Sequence, residues 1–267
     1  MLGAIIGDTV GSVYEWHNVK SKDFPLFKDK SFLTDDSIMT LAIGEIIENN
    51  LYKDKDKVID ILKKWGTTYK HRGYGGHFYS WLNSDNREPY NSFGNGSAMR
   101  VSACGSFGKT EEEVKEMAKS VTEVTHNHPF GLIGAEVTAL CIYYAKIGKS
   151  KEFIKEYASK YYNLNFDYQD LVDNYIFDVT CQGTVPEAIY CFLISKDFED
   201  CIRTAISMGG DSDTLTCIAC SIAEAYYKDI PKFMIEEIYK RLPNSENGCN
   251  PKEVLDKYIE SRPYLNK

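Results

Sequence analysis

Gly209-Gly210-Asp211-Ser212-Asp213-Thr214 sets two carboxylates and a hydroxyl between a flexible glycine pair and the apolar run Leu215 to Tyr227. That run is rich in alanine and cysteine and contains neither proline nor glycine, which reads as a buried helix. Asp211 and Asp213 flank a single residue, so both can turn toward one point only where the backbone leaves a loop and enters that helix. A second acidic corner, Thr34-Asp35-Asp36, stands before a similar apolar run, Ser37 to Ile47. The glycines would let these two helix starts approach and share a site.

Working outward, helical spacing recurs and strand alternation does not, so the chain is expected to be all-α. Helices are predicted at Val58 to Trp65, Glu111 to Thr125, Phe130 to Ile147, Ser150 to Tyr162, Phe198 to Met208, Pro231 to Leu242 and Pro251 to Arg262. Gln182 to Glu187 reads as a loop entering a helix that runs through Ile194, and Asn163 to Phe177 has no assignable pattern. Gly3, Gly7 and Gly11 recur every fourth residue, giving a helix face without side chains for close packing. Within that run Asp8 needs a partner if buried. Val19 to Lys30 is polar, basic and proline-containing, a surface loop able to lie over a pocket.

With 267 residues, 43% of them hydrophobic, the chain fits one large domain over 1–267. A net charge of -8 and a pI near 5.3 provide no electrostatic footprint for nucleic acid. The N-terminal run has no basic leader and meets Asp8 early, so no signal peptide or membrane span is expected and the cytoplasm is the expected compartment. A monomer is the default. Most of the eight cysteines sit singly in apolar runs, and the Cys217–Cys220 pair lies within a predicted helix, so buried free thiols are expected.

Glu15, ahead of Trp16, His17 and Asn18, is a candidate site residue or a solvated acid at a helix end. Two glycine loops, Tyr69 to His77 and Asn91 to Arg100, could cradle an anion or ribose with backbone amides, or could be ordinary turns. His126, in Thr125-His126-Asn127-His128-Pro129, suits substrate contact or capping better than a metal. The two acidic corners contain four aspartates and two threonines, an all-oxygen set that selects Mg²⁺, Mn²⁺ or Ca²⁺ over zinc. Four crowded carboxylates repel one another, and two divalent ions neutralise them. Paired ions at such a site make hydrolysis the default chemistry.

These residues resemble the ADP-ribosylglycohydrolases, a family that includes the dinitrogenase reductase-activating glycohydrolase. The resemblance rests on Gly7-Asp8-Thr9-Val10-Gly11 through Glu15, Thr34-Asp35-Asp36, Arg72-Gly73-Tyr74-Gly75, Gly94 to Arg100, Thr125-His126 and Gly210 to Thr214. It implies an all-helical fold, a binuclear Mg²⁺ or Mn²⁺ centre and release of ADP-ribose from a modified protein side chain or small conjugate. By resemblance the metal ligands are Thr34, Asp35, Asp36, Asp211, Asp213 and Thr214, and Glu15 is an additional acid that gates the site or acts as base. Either Asp35 or Glu15 would accept the proton of the attacking water. Gly75, Gly76, Gly96, Ser97, Met99 and His126 would hold the diphosphate and sugars, with His77 departing from the smaller residue found in relatives. The surroundings of Glu15 resemble members acting on serine linkages, and the short chain resembles bacterial members acting on arginine linkages. An ADP-ribose-binding module without turnover and a metal-dependent phosphohydrolase are the alternatives.

Overall fold

The structure is a computed structural model and describes residues 1–265. Among them are fifteen α-helices and no strand; the only β-type pairings are isolated bridges, Gly94 with Thr180 and Glu246 with Cys249. In chain order the helices are α1 Leu2–Gly11, α2 Asp35–Glu48, α3 Lys55–Thr68, α4 Gly76–Leu82, α5 Gly96–Met99, α6 Ser102–Phe107, α7 Glu111–Glu123 and α8 Pro129–Lys146. They continue as α9 Lys151–Ala158, α10 Tyr168–Asn174, α11 Cys181–Ile194, α12 Phe198–Met208, α13 Ser212–Tyr227, α14 Lys232–Arg241 and α15 Pro251–Glu260.

The core is built round α13, which is buried from Ser212 to Ala225 and packs against α1, α8, α11 and α12. The four-residue glycine spacing of α1 gives the closest of these contacts. A Cβ on Gly7 would lie 2.5 Å from the Thr216 carbonyl oxygen, and one on Gly11 only 2.7 Å from the Asp213 nitrogen. Helix starts follow local chemistry: Thr34, Asp54, Thr110, Ser150, Thr180, Asp197 and Asn250 each accept a first-turn amide.

Three expectations are corrected. Gln182 to Glu187 is the first part of α11 rather than a loop, capped by Thr180 and carrying Pro186 inside the helix. Burial of Val185, Ala188, Ile189 and Phe192 outweighs the propensity of Gly183 and Pro186. The loop after Val19 does not cover the pocket. Arg203 ties it to α12 through the Lys22 and Phe24 carbonyls, and Arg241 ties it to α14 through the Lys28 carbonyl. Gly209 and Gly210 are needed for positive φ, 72° and 69°, rather than for close approach of helix starts; the close approach at the start of α13 is made by Gly11, the last residue of α1. All eight cysteines are buried and free, as expected.

Candidate active site and metal centre

Helices α1, α2 and α13 converge so that both acidic corners face one point. Thr34 caps α2, with Asp35 and Asp36 in its first turn, and Asp211 stands at the N-cap position of α13, with Asp213 and Thr214 following. Asp36 joins the corners: its Oδ2 lies 3.4 Å from Thr34 Oγ1 and accepts from Thr214 Oγ1 at 3.3 Å. Carboxylate oxygens of Asp8, Asp36 and Asp213 lie within 4.8 Å of one another, as do those of Glu15, Asp211 and Asp213. Asp213 therefore belongs to two carboxylate triads.

Such a cluster calls for cations. Burial first, and neighbouring carboxylates second, raise Asp35, Asp36 and Asp213 well above the usual range. Burial likewise raises Asp211, and burial followed by the Asp211 charge raises Glu15 to about 7. Asp36 Oδ1 is buried without a hydrogen-bond partner, an orphan that a bound cation would satisfy. The all-oxygen donor set fits a hard divalent metal.

Asp8 lies beneath this cluster and was legible only as a buried acid in need of a partner. Its carboxylate accepts from Thr34 N at 3.0 Å, Thr34 Oγ1 at 2.6 Å, Ser37 N at 3.1 Å and Ser37 Oγ. Burial raises it to about 6 and these donors oppose the rise. The single Thr34 hydroxyl proton goes to Asp8, the shorter of its contacts, and its oxygen accepts from Asp36 N at 3.2 Å. Asn95 is the other residue that sequence reasoning passed over. Its Nδ2 donates to Asp211 Oδ2 at 2.7 Å and to Thr184 Oγ1 at 3.1 Å, tying the second glycine loop to a carboxylate of the centre. The left-handed asparagine of this loop is Asn91, with φ 56°.

The cluster forms one end of a cavity of about 570 Å³. Gly75, Gly76, Gly96, Met99 and His126 line it together with Thr34, Asp35, Asp36, Asp211, Asp213, Thr214 and Glu15. Positions Gly75 and Gly76 have open space where a Cβ would stand, leaving the backbone approachable. Ser97 is placed differently: it is fully buried behind the wall, with its hydroxyl donating to the Gly94 carbonyl and touching Cys181 Sγ. His126 is no cap; His128 caps α8 by accepting from Phe130 N. Its ring instead faces Tyr90, which in turn meets His77, with centroids 5.9 and 6.1 Å apart. At the mouth, Trp16 and Phe177 stack at 5.1 Å.

The family model for ADP-ribosylglycohydrolases matches residues 1–261. Among curated relatives, ADP-ribosylhydrolase ARH3 of mouse is 27% identical, covering 96% of this chain and 88% of its own. The human ARH3 protein is also 27% identical, over 85% of this chain and 84% of its own, and the ADP-ribosyl-[dinitrogen reductase] glycohydrolase of Rhodospirillum rubrum is 22% identical over 89% and 88%. A solved structure described as an ADP-ribosylglycohydrolase-related protein complex superposes with a TM-score of 0.70 at 21% identity, covering 99% of this chain and 95% of that one. With the family model spanning nearly its full length and the acidic corners brought together, this chain belongs to the ADP-ribosylglycohydrolase family and is a glycohydrolase.

Proposed function

We propose that the protein releases ADP-ribose from ADP-ribosylated protein side chains, arginine- or serine-linked, or from a small ADP-ribose conjugate, with two divalent cations, Mg²⁺ or Mn²⁺. The observation that carries this reading is the pair of carboxylate triads sharing Asp213 at one end of a cavity with glycine and aromatic walls. Thr34, Asp35, Asp36, Asp211, Asp213 and Thr214 would hold the cations between them, with Glu15 standing beside Asp211 and Asp213. When bound, the ions would supply Lewis-acid polarisation and acidify a water.

The chain's own residues do the remaining work. Gly75 and Gly76 leave room for the diphosphate and sugars to approach the backbone, Gly96 keeps His126 Nε2 unobstructed, and the Tyr90–His126 face offers a surface for stacking. Glu15, partly exposed at the cavity edge beside Asp211 and Asp213, is placed to take a proton from water, with Asp35 the second candidate for that role. Hydrolysis breaks the bond between the anomeric carbon of the distal ribose and the side chain. Hydroxide equivalent passes to that carbon and a proton to the leaving group, through a transition state of oxocarbenium character.

The test incubates arginine- and serine-linked ADP-ribosylated proteins with wild type and Asp211→Asn, with and without Mg²⁺ or Mn²⁺, and identifies products by mass. Intact ADP-ribose released only by wild type with metal is the expected result. Full activity in metal-stripped buffer refutes it. AMP as product would mark a phosphohydrolase, and tight retention without release a binding module.

A further inference from the structure

Arg100 is fully buried in the cavity wall without an ion-pair partner among the described residues. It sits over the Phe78 ring at 5.7 Å, and its Nε has no hydrogen-bond partner. Burial lowers it to about 10, so it remains a cation at neutral pH. Burying a charge in this way is costly for packing alone. Its Nη2 donates to the Val121 carbonyl at 3.0 Å and to Thr125 Oγ1 at 2.7 Å.

The second of these bonds dictates where the hydroxyl proton goes. Arg100 can only donate, so Thr125 must spend its single proton elsewhere. Two acceptors are in reach. The Thr122 carbonyl is 3.4 Å away and already accepts the Thr125 and His126 amides at 3.1 and 2.9 Å. His126 Nδ1 is 2.8 Å away. The hydroxyl therefore donates to Nδ1, and the neutral ring carries its proton on Nε2. That nitrogen faces the glycine loop: a Cβ on Gly96 would stand 3.3 Å from it and one on Gly94 3.7 Å, so both glycines leave its approach from the cavity clear.

We propose that Arg100 and Thr125 are positioning residues that lock His126 in its Nε2–H form, giving the cavity a fixed neutral donor beside Gly94 and Gly96 that reads a phosphate or ribose oxygen of the ligand. Burial, followed by the Arg100 charge, holds the His126 pKa well below its ordinary value, in keeping with a neutral ring. The identity of the ligand rests on the glycohydrolase reading; the tautomer does not.

The experiment records ¹⁵N–¹H correlations of the histidine ring in the ligand-free protein and measures ADP-ribose affinity by calorimetry, for wild type, Thr125→Val and Thr125→Ser. Wild type is expected to show a protonated Nε2. Thr125→Val loses the tautomer bias, weakens ADP-ribose binding roughly three- to tenfold and raises KM more than it lowers kcat, whereas Thr125→Ser stays within about twofold of wild type. Arg100→Gln, checked for folding by circular dichroism, shifts the tautomer ratio in the same direction as Thr125→Val; if it does not fold, the Thr125 pair decides. A proton on Nδ1 in wild type, or unchanged affinity in Thr125→Val, overturns the proposal. A protonated Nε2 in a protein that binds no ADP-ribose refutes the functional reading and supports the relay.

Discussion

Replacing Gly11 with alanine tests whether the contact between α1 and α13 sets the metal centre. The new Cβ would press on Asp213 Cα and lie 2.7 Å from both Asp213 N and Ser212 O, where ordinary contact begins at 3.4 Å. No flexible side chain stands there to yield, so the backbones must part by about 1 Å, an overpacking worth about 1–3 kcal/mol. Helix propensity returns up to about 1 kcal/mol. The net loss of up to about 2 kcal/mol lowers Tm by up to roughly 8 °C in a chain of this size. The larger effect falls on Asp213, which serves both triads: displacement of a reacting group by about 1 Å costs on the order of a hundredfold in rate. Thermal unfolding with and without Mg²⁺, and turnover of an ADP-ribosylated protein, read the two effects separately. Gly44→Ala is the control, since its Cβ meets Met1 Sδ and Val254 Cγ1 rather than the acidic cluster, and it should lower Tm while leaving the response to Mg²⁺ intact. A Gly11→Ala protein whose metal response and rate stay within twofold of wild type would refute the reasoning.

Two further outcomes are expected. Asn95→Ala removes the 2.7 Å donor to Asp211, and metal affinity measured by calorimetry should fall about ten- to a hundredfold with little change in Tm. The metal-free protein should lose stability as pH rises. Glu15 and Asp8 titrate near 7 and 6 when folded but near 4 when unfolded, so between those limits the folded state holds more protons and the slope of stability with pH is negative. Denaturant titrations at pH 5 and 7.5 check this, and saturating Mg²⁺ should flatten the difference; a metal-free protein more stable at pH 7.5 would contradict the charge crowding.

The acidic corners were legible because each is a local pattern, carboxylates and a threonine at a helix start, and the glycines of α1 because their period is that of a helix face. What could not be read were partnerships between distant segments. Asp8 is a lone acid in an apolar run until Thr34 and Ser37, 26 and 29 residues on, give it four donors. Asn95 resembles any turn residue until Asp211 is found 116 residues away. In α11, Gly183 and Pro186 argue locally for a loop, and only burial against the core makes the segment helical. Ser97 shows the converse: a small polar residue beside two glycines suggested ligand contact, and its hydroxyl is engaged inside the protein.

The joining of α1 to α13, where Ser212 Oγ donates to the Gly11 carbonyl across 201 residues, also governs the order of assembly. Closing a loop of that length is entropically unfavourable before its contacts form, which predicts that this junction forms late in folding. A nascent chain that has displayed Asp8, Glu15, Asp35 and Asp36 still lacks Asp211 and Asp213, and neither triad can close until most of the polypeptide has been synthesised. Cations that bind the finished arrangement alone then favour it by mass action, which makes metal retention a readout of complete folding.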